Sequence, residues 1–214
     1  RDAVGMLDGR APLLAGMARY HLGMVDAAFR PVPDGLVDRG KRVRPLVALL
    51  CCAAAGGRAE DAAPLAAAIE LLHNFTLVHD DIQDESPTRR HRPTVWTLWG
   101  SAQAINAGDA LFAAAHLALF RLRQTGASSE LVLDLSEAFD RMTIAIVEGQ
   151  VLDLSFEGRR DVSPDDYLGM IAGKTAAILR FAARGGALLG GADAPTADRF
   201  AEFGWMVLIP LALL

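Results

Sequence analysis

The hydrophobic pattern of the chain is that of successive amphipathic helices separated by turns rich in glycine and proline. Residues 2–26 place apolar side chains at roughly helical spacing and end before the loop Arg30-Pro31-Val32-Pro33-Asp34-Gly35. Gly40-Lys41-Arg42-Val43-Arg44-Pro45 opens an apolar helix that runs to about Ala55 and stops at Gly56-Gly57. A central helix is expected from about Asp61 to Asp84, followed by a basic turn over Arg89–Pro93. Pro93-Thr94 begins a short helix holding Trp96 and Trp99, both read as packing residues. A long helix follows Gly100, and Gly108 within it costs about 1 kcal/mol relative to alanine, so a close helix contact is expected there. Another helix spans 129–156. Ser163-Pro164-Asp165-Asp166 has the cap, first-turn proline and acidic first turn of a helix start. Its helix is expected to carry Tyr167, Met170, Lys174 and Phe181 on one face, with Gly185-Gly186 and Gly190-Gly191 turning into a last helix near Thr196.

Composition supports an all-α protein. Half the residues are hydrophobic and alanine is abundant, while only two tyrosines and nine phenylalanines occur. A net charge of −5 argues against nucleic-acid binding through a general basic field. The adjacent Cys51 and Cys52 are poorly placed for a structural disulfide and suit a reducing compartment. The longest apolar runs are broken by Asp109, His116 and Pro210, so no membrane span is expected. A cytoplasmic protein without a signal peptide is the resulting expectation.

The chemistry concentrates between Glu70 and Trp96. On a regular helix His73, Asp80 and Asp84 share one stripe, with Thr76 and Ile69 just below. Carboxylates four residues apart repel each other, which implies a cation between them. Hard carboxylate oxygens suit Mg²⁺, an ion that usually shares its ligands with substrate phosphates. Arg89 and Arg90 follow closely, and guanidinium groups match phosphate oxygens. Acid, metal and arginine in one segment read as a diphosphate site. A DDxxD alone is more often a solvated helix end, but here it emerges from the apolar Phe75, Leu77 and Val78.

Three further places carry chemistry or packing. Lys41 and Arg44 are three apart and expected on one face, where a cationic helix start opposes the dipole unless an anion is near. Ile146, Gln150 and Asp153 share a stripe that is commonly a hydrogen-bonded core pair. Lys174, amid Ile171, Ala172, Ala176 and Ile178, needs an anion if it is buried, and a diphosphate would supply one.

Six motifs in order, GKRVRP at 40–45, HDDIQD at 79–84, RRHRPTVW at 89–96, INAGD at 105–109, GQVLD at 149–153 and YLGMIAGKT at 167–175, resemble the trans-isoprenyl diphosphate synthase (polyprenyl synthetase) family. The resemblance implies a single-domain all-α bundle around a deep central cavity, usually a homodimer. It implies that Asp80 and Asp84, supported by Asp81, hold Mg²⁺ on an allylic diphosphate (dimethylallyl, geranyl or farnesyl). Lys41, Arg44, His73 and Arg90 would bind isopentenyl diphosphate, and Arg89 and Lys174 the allylic diphosphate. Thr175, Gln150 and Asp153 would line the reacting centre. The family also places a chain-length aromatic five residues before the first aspartate, here Phe75 with the small Thr76 beside it. Helical arithmetic instead puts Thr76 and Ile69 on the Asp80 stripe. Geranylgeranyl diphosphate is the favoured product, farnesyl diphosphate the next.

One departure stands out. The family's second acidic motif should follow Phe203-Gly204, but the text continues Trp205-Met206-Val207-Leu208-Ile209-Pro210-Leu211 with no acid. Leu208 onward resembles a later family segment, so a segment is expected to be missing between Val207 and Leu208. The competing reading is an inactive or regulatory subunit of a heteromeric prenyl synthase. A metal phosphohydrolase on His79-Asp80 would need further His and Asp ligands, and a purely structural helical domain leaves the cationic clusters unexplained.

Overall fold

The computed structural model describes residues 2–33, 35–38 and 40–206. Its elements are α1 (Asp2–Gly5), α2 (Pro12–His21), α3 (Val43–Ala54), α4 (Ala63–Gln83), β1 (Thr88–Arg89), β2 (Arg92–Pro93), α5 (Val95–Trp99), α6 (Ser101–Phe120), α7 (Ser129–Phe156), α8 (Pro164–Ile171), α9 (Ala177–Leu189) and α10 (Ala194–Met206). Short 3₁₀ turns, Ala59–Ala62 and Arg121–Gln124, precede α4 and follow α6. Strand is confined, among the described residues, to one antiparallel hairpin of two-residue strands and an isolated bridge between Val25 and Pro31. The all-α fold expected from composition is the one observed. The expected break between Val207 and Leu208 lies outside the described residues.

The chain forms two compact units, one of residues up to Arg42 with Ala67–Leu119, the other of Val43–Ala66 with the residues from Phe120 onward. In the first unit the helical reading of 2–26 holds only for residues 2–5 and 12–21. Leu7 and Asp8 turn back on Val4 and Gly5, and the chain re-enters helix at Pro12, whose fixed φ suits a first turn. The end of α2 is tied to the hairpin. Arg92 donates from Nη1 to the Tyr20 carbonyl (3.0 Å) and from Nη2 to the Val25 carbonyl (2.9 Å), with its guanidinium 4.0 Å from the Tyr20 ring centre. The Tyr20 hydroxyl donates back to the Pro93 carbonyl at 2.8 Å. Trp99 packs edge-on against Tyr20 and stacks with Phe29. Trp96 also packs, and its indole N–H donates to the Ser86 carbonyl at 2.8 Å. The close contact expected at Gly108 is present: a Cβ there would fall on the His79 ring of α4.

The second unit packs its helices backbone to backbone through glycines. Gly185 and Gly186 lie inside α9, not in a turn. A Cβ at Gly186 would fall on the Ala48 carbonyl of α3, and one at Gly185 would meet Leu65 at 2.9 Å. The pair therefore serves helix contact, and only Gly190-Gly191 makes the turn expected before the last helix. Gly204 of α10 similarly approaches the Leu179 carbonyl of α9. Phe139 of α7 and Phe181 of α9 meet edge to face at 5.7 Å.

The helix expected to run unbroken from Ser163 past Phe181 is three pieces. α8 begins with the expected cap: the Ser163 hydroxyl accepts from the Asp166 N–H and the Asp166 carboxylate accepts from the Ser163 N–H. A π-helical turn over Ala172–Ala176 then separates α8 from α9. It breaks the 3.6-residue register, so the common face of Tyr167, Met170, Lys174 and Phe181 does not form. Met170 and Phe181 are buried while Tyr167 is exposed.

Candidate functional site

Most residues singled out from sequence fall in two groups, one in each unit, while Arg44 stands apart on α3 of the second unit. The first grows from the end of α4. Asp84 closes the helix with an N–H bond to the Asp80 carbonyl at 2.8 Å. Glu85 takes a left-handed conformation (φ 49°), and Ser86 and Glu85 donate back to the Asp81 and Ile82 carbonyls, the bonds of a Schellman cap. This end gathers Asp80, Asp81, Asp84 and Glu85 where the helix dipole is already negative, which disfavours them unless cations are supplied.

The hairpin supplies them. Arg90 and His91 occupy its two-residue turn with φ of 50° and 61°, the mirror-image turn usually built from asparagine and glycine. Arg89, on β1, grips Asp81 Oδ1 with Nε at 2.8 Å and Nη2 at 2.7 Å. Asp81 is 1% exposed. Burial pushes its carboxyl above the usual range and Arg89 draws it back. Its Oδ2 is buried with no hydrogen-bond partner among the described residues. Arg89, which the resemblance assigns to the allylic diphosphate, thus has a carboxylate partner in this structure.

Arg90 lies against the backbone of Gly40: a Cβ there would stand 2.7 Å from its Nη2. Burial disfavours its charge, opposed by Glu70 and Asp38. Gly40 also needs glycine for its φ of 74° and donates its N–H to Asp38 Oδ1 at 2.7 Å. This contact brings the loop that carries Lys41 beside Arg90. Lys41 is exposed and precedes α3, and Arg42 has φ 48°, so the helical face expected to unite Lys41 and Arg44 does not exist.

Sequence reasoning missed four members of this region. Tyr20, His21, Asp38 and Arg92 line a small cavity together with Asp81, Arg89 and Arg90. His21 is held neutral by burial and then by Arg90, Arg89 and Arg92, its pKa pushed down to about 3. Only tertiary packing marks Tyr20, His21 and Asp38, which lie outside the six motifs, whereas Arg92 stands within RRHRPTVW and was given no role of its own.

On the rest of α4, His73 and Asp80 are half-buried. The Thr76 hydroxyl is satisfied within the helix by the His73 carbonyl at 2.8 Å. Phe75 packs between His79 (4.7 Å) and Phe112 of α6 (5.1 Å). His79 Nε2 lies 3.6 Å from Asp109 Oδ1.

The second cluster joins α7 to the π-helical turn. α7 starts at Ser128, whose hydroxyl accepts the Leu131 N–H. The Ile146, Gln150 and Asp153 stripe contains a buried Ile146 and half-buried Gln150 and Asp153. The anion expected for Lys174 is the Asp153 carboxylate, which its Nζ contacts directly. Lys174 is not fully buried, with 29% of its side chain exposed, and Thr175 follows it half-buried in the same turn. Lys41 and Lys174 are the two lysines of the whole sequence. Arginine is used at every other basic position, so this pair is a signal the sequence itself carries.

Mg²⁺ fits the donor set of the first cluster, which is all carboxylate oxygen and includes the unpartnered Asp81 Oδ2. No three metal-ligating side chains converge among the described residues. The carboxylates would complete only part of a shell, leaving positions for water and phosphate oxygens.

The sequence model of polyprenyl synthetase matches residues 28–207. The chain belongs to the polyprenyl synthetase family. All six motifs lie within the matched span. A (2E,6E)-farnesyl diphosphate synthase of Mycobacterium tuberculosis is 40% identical over 199 residues, 93% of this chain and 53% of the relative. A geranylgeranyl diphosphate synthase of the same organism is 43% identical over 194 residues, 89% of this chain and 53% of that protein. The crystal structure of a polyprenyl synthetase from Streptomyces coelicolor superposes with a TM-score of 0.83 at 40% identity, covering 95% of this chain and 58% of that one. The chain therefore spans about half the length of these family members.

Proposed function

We propose that the protein is a head-to-tail prenyltransferase that condenses isopentenyl diphosphate with an allylic diphosphate to a short-chain isoprenyl diphosphate. Geranylgeranyl diphosphate is favoured as product and farnesyl diphosphate comes next, in keeping with what the two relatives are named for. The observation that carries this reading is the carboxylate cluster at the end of α4, faced by the arginine hairpin, in a chain of this family.

Asp80 and Asp84, with Asp81, would hold Mg²⁺, which supplies positive charge to the departing diphosphate. Arg89 opposes the upward push of burial on the Asp81 carboxyl and orients it. Arg90, Lys41, Arg44 and His73 would bind isopentenyl diphosphate, while Lys174 would bind the allylic diphosphate and Thr175, Gln150 and Asp153 hold the reacting end. The allylic C–O bond breaks and its electron pair leaves with diphosphate. The isopentenyl double bond forms the new carbon–carbon bond, and a proton lost from the adjacent carbon restores the alkene. Phe75, backed by Phe112, would limit the product together with Thr76. A second acidic segment between Val207 and Leu208 belongs to this reading of the whole protein.

A homodimer is part of the same reading. Ile144, Val147 and Val151 are exposed along one face of α7, an apolar surface that a second copy would cover. The buried free Cys51 and Cys52 suit a reducing cytoplasm, and no described helix is long and apolar enough to cross a membrane. The test incubates full-length protein and Mg²⁺ with labelled isopentenyl diphosphate and, separately, dimethylallyl, geranyl or farnesyl diphosphate. Label in a product of fifteen or twenty carbons is the result expected, while no incorporation with any primer refutes the reading.

A further inference from the structure

We propose that Gly149 and Gly173 are positioning residues, a glycine clasp that seats the π-helical turn on α7 and so fixes where Lys174 presents its ammonium group. This rests on the assignment of Lys174 to the allylic diphosphate.

Three positions of α7 spaced four apart, Ala145, Gly149 and Asp153, lie on one face of the helix. Each meets the turn at Ala172–Ala176. A Cβ on Gly173 would stand 2.8 Å from the Ala145 carbonyl oxygen and 3.5 Å from the Gly149 Cα. A Cβ on Gly149 would collide with the Lys174 backbone nitrogen and come within 2.8 Å of the Lys174 Cα. One rung further along α7, the Lys174 ammonium reaches the Asp153 carboxylate. The lysine is therefore held twice, by its backbone in the hollow over Gly149 and by its head group on Asp153. The neighbours that an added methyl would strike are backbone atoms and the Lys174 Cβ, none of which can rotate away as the end of a flexible side chain can.

The π-helical turn explains why the hollow is needed. Its wider turn leaves the 3.6-residue register, and the main chain at Lys174 lies where a Cβ on Gly149 would be. Only a partner helix with no side chain at that level can accept it. Gly169, on α8 just before the turn, is the built-in contrast: a Cβ there would meet nothing within 4 Å. A general need for small residues in this region would include it, whereas the clasp does not.

The clasp makes Lys174 a preset cation. Before a diphosphate arrives its charge is balanced by Asp153, and the main chain that carries it is fixed. Displacing that chain by about an ångström should cost on the order of 100-fold in a reaction that depends on placement. The loss should fall on the allylic substrate alone.

The experiment uses full-length Gly149→Ala, Gly173→Ala and Gly169→Ala proteins with two readouts. The first is steady-state kinetics with each substrate varied in turn. The clasp variants should raise KM for the allylic diphosphate or lower kcat by ten- to a hundred-fold, leave KM for isopentenyl diphosphate within twofold, and lose nothing more when Lys174→Ala is added. Gly169→Ala should match wild type. The second readout is amine acylation, with Lys174 compared to Lys41 by peptide mass spectrometry. Lys174 should label more slowly than the exposed Lys41 in wild type, and several-fold faster in either clasp variant. Wild-type kinetics and labelling in a folded clasp variant would overturn the proposal, as would equal increases in both KM values. If Gly149→Ala does not fold, Gly173→Ala decides by the same criteria. If wild type shows no prenyl transfer, the functional assignment falls, and the labelling ratio still decides whether the clasp holds Lys174.

Discussion

His21 shows how far a residue's surroundings can carry it from its ordinary behaviour. Burial and three arginines hold it neutral in the fold, with its pKa pushed down to about 3, while in the unfolded chain it titrates near 6.5. Its neutral form contributes stability in full above pH 6.5, and that contribution is lost as the pH falls from there towards 3. In that window the unfolded state binds a proton that the folded state refuses, a slope of about 1.4 kcal/mol per pH unit. Urea unfolding of wild type and His21→Gln between pH 7 and pH 4 should therefore converge as the pH drops. Curves that stay parallel would mean that His21 is not held neutral. Gly108 gives a second test, because alanine there collides with His79. Overpacking costs about 1–3 kcal/mol and alanine's helix propensity returns about 1 kcal/mol, so Gly108→Ala should lower stability by up to about 2 kcal/mol, measured as a lower urea midpoint with unchanged slope. At this scale Gly108 was legible from sequence because a glycine inside a helix has a known cost. His21 and Asp38 were not, because nothing local marks them and only the folded hairpin brings arginines to them.

Among the elements, the hairpin after α4 joins sequence to function most closely. Its turn places Arg90 and His91 in left-handed conformations that side-chain-bearing residues adopt at a cost of roughly 1–2 kcal/mol. His91 is exposed and sits at the position where such turns favour glycine. His91→Gly should raise stability by about 1 kcal/mol, seen as a melting temperature several degrees higher, and a lower melting temperature would show that the imidazole makes a contact outweighing the strain. The helices were legible wherever caps and breakers agree: α7 from residue 129 to 156, α8 from its Ser163 cap, α3 up to Gly56. The failures share one cause. Whether Gly185-Gly186 bends the chain or admits a neighbouring helix depends on Ala48, and the π-helical turn depends on Gly149. Neither partner is near in sequence, so local patterning cannot report them.

For the whole molecule, an alanine-rich, apolar chain with a modest acidic balance was enough to specify an all-α fold, and six ordered motifs were enough to specify the family. Candidate residues could be named one by one from the sequence, while their pairings could not: Arg89 with Asp81, Lys174 with Asp153 and Arg90 with Gly40 are tertiary facts. Phe75 illustrates the difference. Helical arithmetic alone favoured Thr76, but Thr76 spends its hydroxyl on its own helix and Phe75 meets Phe112. Phe75→Ala should lengthen the product by one or more five-carbon units, read by chromatography of the dephosphorylated alcohols, and an unchanged distribution would show that length is set elsewhere. The most direct measurement compares wild type with Asp80→Ala in the transfer of labelled isopentenyl diphosphate to geranyl diphosphate, by full-length protein with Mg²⁺. A fall of about 100-fold or more is expected, with helical content and melting temperature nearly unchanged, since Asp80 carries none of the buried core. An equally folded Asp80→Ala protein that keeps wild-type transfer would contradict it.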